Sequence, residues 1–375
     1  MRRRLSSRET PRDCSDCKDR CETAQEDKAI GEFLTIPEII EAAQAKLPQA
    51  LWDYASGGAE TEATLRRNRS AMERWVFRPK VLVDVRHLDL STTFLGHRLS
   101  LPVMLAPIGS IEFFHPDGAL AAARVAGRVG TIAFVSTMAR PGLEAVAAGA
   151  EGPLVFQLYV RGDRDWVAAM VRRVEDAGYV ALCVTVDSAV YGRRERDLHH
   201  RFSPRERLER PNVVAALMNE EHQSGWTWQD LAWLRRTTRL PLILKGVLTP
   251  EDAVRAVEHG VDVVYVSNHG GRQLDHAPAT IEVLGEIAQA VAGRAELLVD
   301  SGFIRGTDVL KGLALGARAV LIGKLQAWGL AAEGEAGLAR ALELLKEEIS
   351  TTLALLGVPR ISDLGPDCLV SVAPI

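Results

Sequence analysis

The chain has 375 residues, enough for two average domains or one large barrel. Its 47% apolar content supplies a core, its 25% charged residues suit a water-facing surface, and a net charge of −4 argues against nucleic-acid or anionic-membrane partners. No uninterrupted apolar run approaches the roughly 18 residues of a spanning helix, and the basic stretch 1–8 has no apolar segment behind it, so neither a membrane span nor a secretory leader is expected and the location expected is cytoplasmic.

Residues 1–28 are polar, charged and poor in large apolar groups, which predicts a disordered tail. Cys14, Cys17 and Cys21 fall in it. Their spacing is compatible with a metal, but a closed zinc site wants four ligands and no His lies nearby, so composition favours the tail and no metal is expected. Residues 29–375 read as one domain, with 29–100 as an N-terminal cap. Thr35 as N-cap, Pro37 in the first turn and Glu38 at capping-box spacing predict a helix over 35–45. A second short helix over 48–54 is broken by Ala55-Ser56-Gly57-Gly58-Ala59.

From Leu101 onward short apolar runs alternate with longer amphipathic ones. Strands are predicted at 103–106, 132–136, 155–158, 181–186, 242–245, 263–267, 297–300 and 319–322, with helices such as 118–129, 165–177, 250–258 and 307–315 between them. Strands this uniformly apolar are buried on both faces, as in parallel sheets. Eight alternations fit an α/β fold of the (β/α)8 TIM-barrel kind. An open doubly wound sheet is the runner-up, but Ala106-Pro107-Ile108-Gly109 stands where it would carry a G-x-G-x-x-G turn. The long irregular piece 197–225, after the fourth strand, reads as a lid loop.

Residues at the carboxyl ends of barrel strands share one mouth. Here those ends carry Ser136, Gln157 and Tyr159, Thr185 and Asp187 followed by Arg193-Arg194, Lys245, then Ser267, His269 and Arg272, Asp300, and Gly323-Lys324. Arginines clamp a planar anion such as a carboxylate. A histidine oriented by a carboxylate, for which Asp187 is placed, is the usual general base. Lys245, in an otherwise apolar strand, supplies positive charge where negative charge develops. Loops after strands seven and eight commonly bind phosphate, and Asp300-Ser301-Gly302 and Ile322-Gly323-Lys324 occupy those places. A carboxylate, a base and a phosphate-bearing cofactor suggest oxidation beside the carboxylate.

The stretch Ser267-Asn268-His269-Gly270-Gly271-Arg272-Gln273-Leu274-Asp275 is the most specific feature, supported by Tyr54-Ala55-Ser56-Gly57-Gly58-Ala59-Glu60, Gln157-Leu158-Tyr159, Thr185-Val186-Asp187, Gly192-Arg193-Arg194-Glu195, Leu244-Lys245-Gly246 and Arg305-Gly306-Thr307-Asp308. On these motifs, from about residue 36 to about 364, the chain resembles the FMN-dependent α-hydroxy-acid oxidases and dehydrogenases. The resemblance implies FMN as cofactor and oxidation of an L-2-hydroxy acid to the 2-oxo acid. It implies catalytic roles for His269, Asp187 and Lys245, and substrate contacts from Tyr54, Tyr159, Arg194 and Arg272. It implies cofactor contacts from Pro107, Gly109, Ser136, Gln157, Thr185, Lys245, Ser267, Asp300, Gly302, Gly323 and Lys324. It also implies a homo-oligomer, by habit a tetramer. Oxygen or a soluble acceptor is expected to reoxidise the flavin.

The chain departs from the family's pattern in places. Ile304 stands where an arginine usually contacts phosphate, Lys324 replaces a second arginine, and Leu325 replaces a frequent proline. A lysine offers a point charge in place of a bidentate fork, so weaker FMN binding is expected. Met138 stands where some members carry a large aromatic, and Gly109 where some oxidases carry alanine. Two alternatives follow: a relative acting on a larger molecule such as a modified amino acid or peptide, and a degenerate barrel that binds without turnover.

Overall fold

Eight short strands, almost wholly buried along their length, close into a barrel in the computed structural model, which describes residues 33–203, 210–213 and 221–373. Two strands precede the barrel as a hairpin and one pairs with the chain's end, so in chain order the strands are β1 (Trp75–Phe77), β2 (Thr92–Phe94), β3 (His97–Leu99), β4 (Val103–Leu105), β5 (Ala133–Ser136), β6 (Leu154–Leu158), β7 (Ala181–Thr185), β8 (Leu242–Val247), β9 (Val263–Val266), β10 (Glu296–Val299), β11 (Ala319–Ile322) and β12 (Leu369–Ser371). Strands β4 to β11 run parallel, each beside the next, and β11 returns to pair with β4 through Leu321 against Met104. The expected TIM barrel is therefore the fold, and the strand predictions are right to within one or two residues at each end.

The pleat divides the core in two. Met104, Phe134, Val155, Cys183, Ile243, Tyr265 and Leu298 point inward and fill the barrel, while their neighbours Leu105, Val135, Phe156, Leu182, Leu244 and Val266 point outward against the helices. This alternation is what a parallel barrel needs, because each strand residue has an apolar layer to meet on either side. The hairpin β2–β3 carries Phe94 and Leu99 into the inner cluster. Both are at most 1% exposed.

Helix Ile36–Lys46 begins where expected: Thr35 Oγ1 accepts from Glu38 N at 3.4 Å. The Glu38 carboxylate, however, accepts from Leu34 N at 2.9 Å, one residue outside the expected reciprocal box. The second cap helix runs Gln49–Ser56, longer than expected, and a third spans Ala63–Ser70. The first packs on the long helix Lys324–Leu356, which breaks direction at Glu333 and Gly334. Trp52 and Trp328 stack at 5.8 Å between the second cap helix and that long helix. The expected tail 1–28, with Cys14, Cys17 and Cys21, lies outside the described residues, as does part of the expected lid. Within 197–225, Glu221–Ser224 is helical and Arg210–Val213 lies against the barrel mouth.

Candidate active site

The stretch Ser267–Asp275 leaves β9 through three successive left-handed residues, His269, Gly270 and Gly271, with φ of 60°, 70° and 73°. Only glycine adopts that conformation freely, and a second constraint acts at Gly271, where an added Cβ would lie 2.6 Å from Leu65 N. The cap clamps this loop. Asn68 and Asn268 exchange side-chain hydrogen bonds at 2.9 and 2.7 Å, Ala59 N donates to Gly271 O at 2.8 Å, and the Asp275 carboxylate accepts from Thr61 Oγ1 at 2.6 Å and Thr64 N at 2.8 Å. Residues far apart in sequence are thereby fixed around one histidine.

His269 Nδ1 lies 2.9 Å from Asp187 Oδ1, leaving Nε2 toward Tyr159 OH at 3.2 Å. Burial and nearby Lys245 push the His269 pKa below its ordinary value, against the pull of Asp187, so the imidazole is neutral and basic at neutral pH. Burial alone would raise the Asp187 carboxyl, but His269 and Lys245 outweigh it and hold it ionised. Lys245 Nζ donates to Ser267 Oγ at 3.0 Å and stands 3.8 Å from Asp187 Oδ2, an oxygen with no hydrogen-bond partner. Despite burial, the charges of Asp187 and Asp300 raise the Lys245 pKa above its usual value. A buried fixed cation thus sits beside a base already oriented by a carboxylate.

Arg272 is partly buried, with Nη1 donating to Tyr54 O at 2.6 Å and Gly57 O at 3.0 Å. Arg194 donates to Tyr191 OH, to Arg272 O at 3.3 Å and to Gln273 Oε1 at 3.4 Å. Burial and Arg194 lower the Arg272 pKa, the signature of two cations lacking a shared anion. Burial lifts the Tyr159 hydroxyl to about 12 and raises the Tyr54 hydroxyl as well, so both remain donors.

A cavity of about 480 Å³ joins these groups, of the size that takes small ligands. Tyr54, Tyr159, Arg194, Lys245, His269 and Arg272 line it, together with Pro107, Gly109, Asp300, Gly302, Gly323 and Lys324. Ser136, Gln157, Thr185 and Ser267 are buried at the same strand ends, with Ser136 Oγ donating to Gln157 Oε1 at 2.7 Å and Gln157 Nε2 to Thr185 Oγ1 at 2.9 Å. Asp300 accepts from Tyr265 OH at 2.8 Å and Ser301 Oγ at 2.7 Å. Lys324 Nζ donates to Ser56 O at 2.5 Å and Gly57 O at 3.1 Å. Burial, then Arg272, pushes the Lys324 pKa well below normal, a penalty that an anion would relieve. Ile304 lines the cavity as an apolar residue, as its departure from the pattern requires.

Sequence reasoning missed Arg161, Tyr191, Arg210 and Gln273 as parts of this site. Gln273 lay inside the quoted motif, where its amide braces the loop after β7 through Asp187 O at 3.2 Å and Val190 O at 2.9 Å. Arg210 comes from the expected lid and donates to Met138 O at 2.6 Å and Ser110 Oγ at 3.0 Å.

The cavity holds what oxidation beside a carboxylate requires: an anion clamp, a base and room for a redox group beside Lys245 and Lys324. The model of the FMN-dependent dehydrogenase family matches residues 43–371, and the chain belongs to that family of oxidoreductases acting on CH–OH groups. It is 44% identical over 347 residues to a peroxisomal (S)-2-hydroxyacid oxidase of Arabidopsis thaliana, covering 89% of this chain and 96% of that enzyme. Glycolate oxidase of Spinacia oleracea is 42% identical over 349 residues, covering 89% and 95%. A soluble mutant of the membrane-associated (S)-mandelate dehydrogenase from Pseudomonas putida matches with a TM-score of 0.87 at 41% identity, covering 91% of this chain and 100% of that one.

These relatives correct one expectation. The Arabidopsis thaliana oxidase and a second one from the same plant, also 44% identical, are named as peroxisomal enzymes, which overturns the cytoplasmic location. That expectation rested on the want of a secretory leader, which does not separate the two compartments. Among the described residues no helix is long and apolar enough to cross a membrane.

Proposed function

We propose that this FMN-dependent enzyme oxidises an L-2-hydroxy acid to the 2-oxo acid with the residue roles that follow. Arg194 and Arg272 clamp the substrate carboxylate. Tyr54 and Tyr159, both protonated, donate hydrogen bonds to the substrate. His269 Nε2 takes the proton released on oxidation, and Asp187 on Nδ1 stabilises the imidazolium. FMN, when bound, accepts the two electrons. Lys245 supplies positive charge beside it, and the Ser136–Gln157–Thr185 chain with Ser267 stiffens the wall on which the ring would rest. Lys324 and the backbone of residues 301–303 and 323–324 would hold the phosphate end of FMN, with Asp300, Gly302, Pro107 and Gly109 along the cavity.

The observation that carries this reading is the His269–Asp187 contact at 2.9 Å, beside a cavity that Arg194 and Arg272 also line. His269→Gln tests it. The variant is expected to keep fold and flavin but to lose anaerobic flavin reduction by 10²–10⁴-fold or so, the usual cost of removing a general base. Near-normal reduction overturns the role. A degenerate barrel is disfavoured, because the reactive groups stand assembled.

The described oxidase or dehydrogenase chemistry is proposed to use oxygen or a soluble acceptor, in a homo-oligomer of single-domain chains. Each chain would comprise a tail over 1–28 and one FMN-binding domain over 29–375, with its cap over 29–100 and lid over 197–225.

A further inference from the structure

Among the described residues five arginines line the cavity, and four have partners. Arg69 pairs with Asp308 at 2.6 Å, Arg210 stands 3.6 Å from Glu112, Arg272 rests on two backbone carbonyls, and Arg194 on Tyr191 and Gln273. Arg161 is different. It is 8% exposed, yet among the described residues it has neither a hydrogen-bonded acceptor nor an ion-paired acid. Beyond packing, its one interaction among the described residues is with the ring of Tyr159, whose centroid lies 5.2 Å from its Cζ. Its nitrogens are not sealed in protein, and the side chain lines the cavity. Burial depresses its pKa, and Tyr159 offers the only compensation. A buried charge with no partner is costly, and a ligand that brings the opposite charge removes the cost.

Position says where that ligand charge belongs. Tyr159 has its hydroxyl 3.2 Å from His269 Nε2 and its ring face under Arg161. The reacting carbon lies at the hydroxyl end, with its carboxylate on Arg194 and Arg272. A side chain growing from that carbon along Tyr159 therefore comes to Arg161. Met138, unbranched and adaptable, lines the same cavity without blocking it.

We propose that Arg161 is a specificity residue that receives a second carboxylate at the far end of the substrate, so that the preferred substrates are 2-hydroxydicarboxylic acids. This rests on the 2-hydroxy-acid reading above and narrows it. A planar guanidinium meets a carboxylate bidentately, and a desolvated pair of this kind discriminates strongly against an analogue that lacks the acid.

The test uses the FMN-loaded enzyme and anaerobic flavin reduction by two L-2-hydroxy acids of equal chain length, one ending in a carboxylate and one in a methyl group. The ratio of their kcat/KM values is the readout. The wild type is expected to favour the diacid by about tenfold or more, and Arg161→Gln to lower the ratio about 10- to 100-fold, chiefly through KM for the diacid. Arg161→Lys should recover part of the preference. A merely structural role would lower both efficiencies and leave the ratio unchanged, which overturns the inference, as does a wild type that prefers the methyl-ended acid. Reduction by the monoacid alone sinks this inference and leaves the 2-hydroxy-acid reading standing; reduction by neither sinks both.

Discussion

Replacing Asp187 by Asn isolates the charge that supports the base. The carboxylate Oδ1 lies 2.9 Å from His269 Nδ1, and both side chains are largely enclosed. At an effective dielectric near 20, two full charges at that separation interact by about 6 kcal/mol. With a proton about half transferred at the transition state, roughly half of this is felt, about 3 kcal/mol, or about 10²-fold in rate. That agrees with the 1.5–3 kcal/mol or so of charged hydrogen bonds. Asn keeps the shape and can still accept from Nδ1–H, so the loss reports charge. Removing the anion also leaves Lys245 as the nearer charge, which drives the His269 pKa lower still. Stopped-flow reduction of the bound flavin under anaerobic conditions, measured against pH, is the assay. A rate within twofold of wild type, with an unmoved pH profile, would refute the assignment of Asp187 as counter-charge.

Arg272→Lys should raise KM for a 2-hydroxy acid by about tenfold or more, since a point charge replaces a bidentate fork on a buried carboxylate; an unchanged KM removes Arg272 from the clamp. The His269 pKa lies below its ordinary 6.5, so kcat/KM should fall only as pH drops through that lowered value. Over the same range the unfolded chain takes up a proton near 6.5 that the folded one refuses, so stability is lost as pH falls below that point; denaturant melts of the free enzyme that showed no acid-side loss from this group in comparison with His269→Gln would contradict it. Ile304→Arg should tighten FMN by about 1–3 kcal/mol if the new side chain reaches the phosphate, and titration of stripped protein with equal affinities would mean that Lys324 and the backbone already suffice. Gly271→Ala should lower Tm through about 1–2 kcal/mol of left-handed strain plus the clash with Leu65 N, and an unshifted melt would mean that the loop relaxes freely.

The barrel was legible because each strand of a parallel barrel is apolar along its whole length and its polar residues collect at one end. Gln157, Thr185, Lys245 and His269 could be placed at the mouth from that rule alone. The pair β1–β12 and the hairpin β2–β3 were not legible: three-residue strands carry no period, and Leu95-Gly96 lacks the Asn or Asp that usually marks such a turn. Arg161 and Tyr191 were missed for a related reason. They lie in loops, where a charged or aromatic residue looks like ordinary surface until the fold buries it, as with Arg161, or sets it at the cavity edge, as with Tyr191. The hydrogen-bonded chain was the other thing the sequence hid: Ser136, Gln157 and Thr185, each placed singly at a strand end, are joined side chain to side chain.

The central claim is that this site moves two electrons from a 2-hydroxy acid to FMN. Its most direct test is anaerobic titration of the purified, FMN-loaded protein with L-2-hydroxy acids, mono- and dicarboxylic, followed by visible absorbance. The flavin should bleach in proportion to the acid added, with the matching 2-oxo acid formed in equal amount. A flavin that stays oxidised with every acid, in protein shown to be folded and loaded, would contradict the account.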